Sequence, residues 1–155
     1  MVFKILILLP AFFIGIMNEA TSTEIEKEQV VKERISSKGN LLGCYDKPNC
    51  ISTSDDREDF NMKTRKLSKE ASIEKIKALL MDEFGAAVVK ESDSYLHVTV
   101  KTLILRFTDD LEFLLKDGFL QFRSESRVGY SDLGKNRSRM NEILELLESK
   151  GLIVK

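Results

Sequence analysis

The stretch DDLEFLLKDGFLQFRSES, residues 109–126, decides the fold. Two apolar-rich runs are joined by Asp117-Gly118, a pair that two-residue hairpin loops prefer because both loop positions need a left-handed backbone. With those two residues as the loop, the pairing follows by counting outward. Lys116 faces Phe119, Leu114 faces Gln121, Glu112 faces Arg123, Asp110 faces Glu125 and Thr108 faces Arg127. On the opposite face Leu115 meets Leu120, Phe113 meets Phe122, Leu111 meets Ser124 and Asp109 meets Ser126. Side chains alternate between the faces of a strand, so the apolar set marks the core face. The other face carries Asp110, Glu112 and Arg123 and reads as solvated, with Glu112 and Arg123 as an outward cross-strand ion pair of modest worth. Asp109 is the exception, a carboxylate on the core face.

Upstream, residues 95–102 alternate again. Leu96, Val98 and Val100 lie on one face; Tyr95, His97, Thr99 and Lys101 lie on the other, where His97 is expected to be exposed. Residues 86–91 form a preceding strand, separated by a turn at Ser92-Asp93. Before it, Ile73, Ile76, Leu79, Leu80 and Phe84 fall at helical spacing, which predicts a helix over Ile73–Phe84 with Ser72 as its N-cap and Gly85 at its end. Downstream, Leu133, Met140, Ile143, Leu144 and Leu147 predict a second helix over residues 136–150, closed by Gly151 and an apolar contact from Leu152. Continued backwards, its apolar stripe brings Asn136 and Arg137 onto the buried edge and leaves Arg139 in water. Helix, four strands and helix, joined by short connections, predict an α+β fold. It has two layers, with a four-stranded antiparallel meander and both helices on one face.

The chain has 155 residues and a net charge of −1, which gives no electrostatic support for nucleic-acid binding. Residues 5–17, ILILLPAFFIGIM, are an uninterrupted apolar run after Lys4. The run suits a secretory signal over residues 1–20 and is shorter than the roughly 20 residues that span a bilayer. A cleaved signal, membrane attachment through residues 5–17 and a buried segment stay open, and export is expected: periplasmic, lumenal or secreted. Residues 21–43 read as a charged tether, residues 44–66 as a cysteine-containing loop and linker, and residues 67–155 as the globular domain. Cys44 and Cys50 enclose a loop with Pro48 and Asn49, which favour a turn; in an oxidising compartment the pair is expected to close as a disulfide worth at most about 3 kcal/mol. A metal site there would need two more ligands, and the single histidine, His97, is distant in sequence. No metal or other cofactor is expected.

An inward Asp109 on a strand and an inward Arg137 on a helix ask for each other, because a buried lone carboxylate is costly. One reading is a structural pair of Asp109 and Arg137, helped by Ser126, that locks helix to sheet. Another is a polar cleft at the end of the sheet. Arg127, Tyr130, Asp132, Asn136 and Arg137 would line it and bind an anionic ligand or an envelope partner through forked guanidinium donors. A third makes Asp109 the acid or base of an enzyme acting on a small anionic or envelope-derived substrate. A purely structural envelope protein using the outward sheet face is a further alternative. No nucleophile–base pair, phosphate loop or nucleotide fingerprint occurs, so the balance leans away from an enzyme.

Three motifs occur in order: Cys44-x-x-x-Pro48-Asn49-Cys50-Ile51-Ser52, then Asp109-Asp110-x-Glu112-Phe113, then Arg123-Ser124-x-Ser126-Arg127-x-Gly129-x-Ser131-Asp132-x-Gly134-x-Asn136-Arg137-x-Arg139. Together they resemble the domain of unknown function 1499 family over roughly residues 44–147. The resemblance implies a domain identity, frequently with an exported or membrane-attached N-terminus, and no reaction. It also implies that Asp109 and the arginine-rich corner belong to one unit.

Overall fold

The computed structural model describes residues 34–102 and 107–154. The expected signal or anchor, the first part of the charged tether and residues 105–106 of the first hairpin strand, which the sequence predicts over residues 105–116, lie outside these.

The hairpin read from Asp117-Gly118 is present. Both residues are left-handed, with φ 53° and 79°, and strands Thr108–Lys116 and Phe119–Ser126 pair in the expected register from Asp109↔Ser126 to Lys116↔Phe119. In chain order the strands are β1 (Cys50–Ser52), β2 (Arg65–Leu67), β3 (Ala87–Glu91), β4 (Tyr95–Lys101), β5 (Thr108–Lys116), β6 (Phe119–Ser126) and β7 (Ile153–Val154); the helices are α1 (Ile73–Phe84) and α2 (Lys135–Ser149). The meander β3-β4-β5-β6 forms as expected, but the sheet has seven strands, not four. β1 and β2 sit end to end on the far edge of β6, where Cys50 faces Glu125 and Arg65 faces Leu120, and β7 pairs with β2 beyond them. The stretch expected as a linker therefore supplies two strands. These additions are only two or three residues long, too short to show an alternation.

Both helices cover one face of the sheet. Ile73, Ile76 and Leu80 of α1 and Met140, Ile143, Leu144 and Leu147 of α2 join Leu96, Val98, Leu111, Phe113, Leu120 and Phe122 in one core. Ser72 caps α1, its hydroxyl accepting from the Lys75 N–H, and Gly85 ends it at φ 59°. At the end of α2 the Leu152 and Gly151 N–H groups return to the carbonyls of Leu147 and Glu148, and Leu152 is buried. Leu133, expected on the apolar face of α2, is instead outside the helix and 92% exposed. Asp132 sets the start: its carboxylate accepts the N–H groups of Gly134 and Asn136, satisfying donors that the first turn leaves free.

The other face of the sheet corrects the expectation most strongly. It is not solvated. Tyr95, His97, Asp110, Glu112 and Arg123 are all buried. Residues 34–44 run across this face: Ile35 and Leu41 pack on Tyr95 and Leu114, Asn40 Oδ1 accepts from Lys116 and Gln121, and the Gly43 carbonyl accepts from Arg123. The described end of the expected tether is thus a third layer.

Candidate functional sites

Two buried polar networks lie on opposite faces of β5 and β6. The first sits under α2. Asp109, 1% exposed, is bound by the Arg139 guanidinium, Nη2 to Oδ2 at 2.7 Å. Asn136 is fully buried beside it. Its amide donates to the Asn49 carbonyl and to Ser126 Oγ, both at 2.9 Å, and its Oδ1 accepts from Ser124 and from Arg139 at 3.3 Å. Asp109 Oδ1 has no hydrogen-bond partner among the described residues.

The expected partner of Asp109 was Arg137. Arg137 and Arg139 flank the apolar stripe of α2 on opposite sides, and only the placement of the helix on the sheet decides which one meets β5. Arg137 turns the other way and donates to the carbonyls of Asn61 (3.1 Å) and Asp59 (2.7 Å). Arg139, expected in water, is the partner, its side chain 13% exposed. Ser126 belongs to the network through Asn136.

The second network combines a directly opposed pair, Glu112 and Arg123, with diagonal contacts between neighbouring strands. Tyr95 donates to Glu112 Oε1 at 2.6 Å; Glu112 Oε2 takes Arg123 at 3.2 Å and Arg34 at 3.5 Å; Arg123 reaches Glu125 at 2.6 Å. Two residues along, His97 Nε2 meets Asp110 Oδ1 at 2.7 Å, and Arg127 grips the same carboxylate with Nε and Nη2, each at 2.9 Å. His97 Nδ1 is buried and has no hydrogen-bond partner among the described residues. Burial resists ionisation of Asp110, but the hydrogen bonds from His97 and Arg127 outweigh it and hold the carboxyl below its ordinary value. Burial and the Glu112 charge push the Tyr95 phenol well above its usual range, so it acts as a donor. For Arg123, burial is outweighed by Glu125 and Glu112, and the guanidinium stays charged. Part of the signal for this network was present in the hairpin register, where Glu112 faces Arg123. What hid it was that a polar face looks the same whether water or residues 34–44 cover it.

The arginine-rich corner divides accordingly. Asn136 is in the core, Asp132 starts α2, and Tyr130 stands exposed on the connecting loop. Arg137 lines a shallow hollow with Glu58, Asn61, Met62, Lys63 and Arg65. Arg127 lines a different concavity of ≈ 390 Å³ with Arg34, Tyr45, Lys47, Asn49, Asp110, Glu125 and Ser126. Of the five expected binding residues, only Arg127 reaches it.

One wall of that concavity is the loop closed by the disulfide Cys44–Cys50. The loop is fixed from both ends. Cys50 opens β1, while the Cys44 N–H donates to Asp55 at 2.8 Å and its carbonyl accepts from Arg57 at 2.7 Å. Arg57 also binds Asp55 and Asp46 and lies 4.0 Å above the Phe60 ring. Its side chain is the main reason the Asp55 carboxyl is held below its ordinary value. Asn49 welds the loop to the end of β6, its amide donating to the carbonyls of Ser126 (3.2 Å) and Gly129 (3.0 Å). Among the described residues no group of three His, Cys, Asp or Glu side chains is placed to hold a metal ion, and no helix is long and apolar enough to cross a membrane.

No curated protein and no solved structure matches the chain. A family model described as a protein of unknown function (DUF1499) matches residues 40–147. That span contains every member of both polar networks except Arg34, and on it the chain belongs to the DUF1499 family.

Proposed function

We propose that the domain is a binding module of an exported protein and that it holds a small anionic ligand in the concavity at the end of β6. The observation that carries this reading is the convergence of Arg34, Lys47 and Arg127, from three separate segments, on one concavity. Arg127 spends Nε and Nη2 on Asp110, which leaves the Nη1 donors for another oxygen, and half of its side chain stays in water. A guanidinium oriented in advance by a carboxylate loses little freedom when it binds an anion. The loop that carries Lys47 is likewise fixed before any ligand arrives.

Two features support export: the apolar run at residues 5–17, and a disulfide that uses both cysteines of the chain. The reading of Asp109 as a catalytic acid or base gains no support, since Asp109 is buried, salt-bridged to Arg139, and lines neither concavity.

Calorimetry with phosphate, sulfate and small carboxylates tests the proposal on the wild type and on Lys47→Ala. The Lys47 side chain has no partner among the described residues, so the variant should keep the wild-type Tm while its affinity for the bound anion falls several-fold. The reading fails if no anion binds the wild type at millimolar concentration, or if Lys47→Ala binds unchanged.

A further inference from the structure

The end of the domain that carries the concavity is also where exposed apolar side chains gather. Ten large apolar side chains are exposed among the described residues, and five of them, Tyr45, Phe107, Val128, Tyr130 and Leu133, stand at this end. They come from three loops fastened to one another. Tyr45 lies in the disulfide loop, which the Asn49 amide ties to the Gly129 carbonyl. Val128, Tyr130 and Leu133 lie between β6 and α2, and the Arg127 N–H donates to the Thr108 carbonyl beside Phe107. Single exposed apolar residues are ordinary on a protein surface, but half of them at one end of a domain mark an interaction site. Leu133 adds a second sign. Its backbone is left-handed at φ 53°, a conformation that glycine or asparagine adopts at less cost, and its exposed side chain gains no packing within the domain.

The same loops carry cations. Lys47 and Lys135 are exposed and have no side-chain partner among the described residues, and Arg127 keeps its Nη1 donors. The carboxylates around them are already engaged: Asp46 by Arg57, Asp110 by His97 and Arg127, Glu125 by Arg123, and Asp132 by the N–H groups of Gly134 and Asn136. Tyrosines and aliphatic tips ringed by cations suit a bilayer surface. The amphipathic rings sit at headgroup level, the apolar tips reach below it, and the cations meet lipid phosphates. The course of the chain favours a lipid surface over a protein partner of the same chemistry. The described residues begin at Arg34, which lines the concavity, so residues 1–33 join the domain at this end. Only residues 18–33 separate Arg34 from the apolar run at residues 5–17. That run, held in a bilayer, would keep Arg34 within at most about 55 Å of it, the fully extended reach of the connecting residues.

We propose that this end of the domain docks on an anionic lipid surface. Tyr45, Tyr130 and Leu133 enter the interfacial layer, while Lys47, Arg127 and Lys135 meet lipid phosphates. The inference goes beyond the small-anion reading: it shares Lys47 and Arg127 with that reading and needs no free anion to bind.

The chain contains no tryptophan, so one substitution installs a local reporter. Tyr130→Trp places it on the docking loops. Phe119→Trp places it at the other end of β6, at a position that is also partly exposed. Each is made in the full chain with its disulfide intact and mixed with vesicles of phosphatidylcholine and phosphatidylglycerol in equal parts, some of the lipid carrying brominated acyl chains. The emission of Tyr130→Trp should shift to the blue and be quenched by the bromines, while that of Phe119→Trp stays as in buffer. Residues 5–17 can bring the whole chain to a vesicle, so the difference between the two reporters is what counts. Adding Lys47→Glu and Lys135→Glu to Tyr130→Trp, with folding checked by thermal melting, should remove most of the shift and quenching. If that variant does not fold, vesicles of phosphatidylcholine alone decide, on which the Tyr130→Trp response should be largely lost. An unshifted Tyr130→Trp, or equal quenching of both reporters, overturns the inference. A response that survives charge reversal, or is as large on phosphatidylcholine alone, overturns the role given to the cations. Docking without any small anion bound leaves this inference standing and removes the earlier reading; small-anion binding with a silent Tyr130→Trp does the reverse.

Discussion

Asp109 of β5 and Arg139 of α2 are joined at 2.7 Å across the helix–sheet interface, and Asp109 has no other ionic partner among the described residues. Removing the cation leaves an uncompensated carboxylate in the core. We expect Arg139→Ala to cost about 3 kcal/mol or more. Arg137→Ala loses only hydrogen bonds to two carbonyls and should cost about 1 kcal/mol. Denaturant melts of the two variants check the order; equal losses would mean that the pair contributes nothing beyond ordinary helix contacts.

Acid should act through Asp110. Its folded-state pKa lies below the unfolded value because hydrogen bonds from His97 and Arg127 outweigh burial. Its contribution is therefore fully present above the unfolded carboxylate value of about 3.9 and is lost as pH falls through that value toward the folded one. Asp110→Asn should be less stable than wild type near neutrality and should lose less between about pH 5 and about pH 3. Part of the acid loss will persist, because Asp55 is depressed in the same sense by Arg57. Parallel pH profiles of variant and wild type would remove Asp110 from the account.

The disulfide has a backup. Replacing both Cys44 and Cys50 with Ser should cost about 2 kcal/mol by the chain-entropy estimate for so short a loop. Cys44 is also held through its backbone by Asp55 and Arg57. Adding Asp55→Ala should therefore cost more than the separate losses predict. Simple additivity in thermal melts would show that the two restraints do not share a task.

The hairpin and its register were legible because one turn signal and one apolar face determine every pairing from Asp109↔Ser126 to Lys116↔Phe119. α1 was legible to the residue, since Ser72 and Gly85 mark its ends chemically. Other features were illegible for specific reasons. β1, β2 and β7 carry too few residues for a period. Arg137 and Arg139 are equivalent to any test of helical phase and differ only by what α2 faces. Tyr95, His97, Asp110 and Arg123 have the alternation of a wet surface, and their burial depends on residues 34–44, whose composition is that of a tether. Of the arginine-rich corner only Arg127 lines the concavity at the end of β6; Lys47 and Asn49 join it through the disulfide loop, which spacing alone had set apart from that corner.

The end-to-end seating of β1 and β2 on β6 carries a consequence for the order of assembly. Cys50 pairs with Glu125 across nearly half of the chain, and Arg65 waits for Leu120. Among the described strands β1 pairs only with Phe119–Ser126 and β2 only with that strand and the still more distant β7, whereas β3 through β6 each pair with the next strand in sequence. Contacts so distant in sequence form slowly, and a strand that waits is an open template for other chains. The hairpin at Asp117-Gly118 is therefore the natural nucleus, and the wall that carries Lys47 and Asn49 is the last part of the domain to be built.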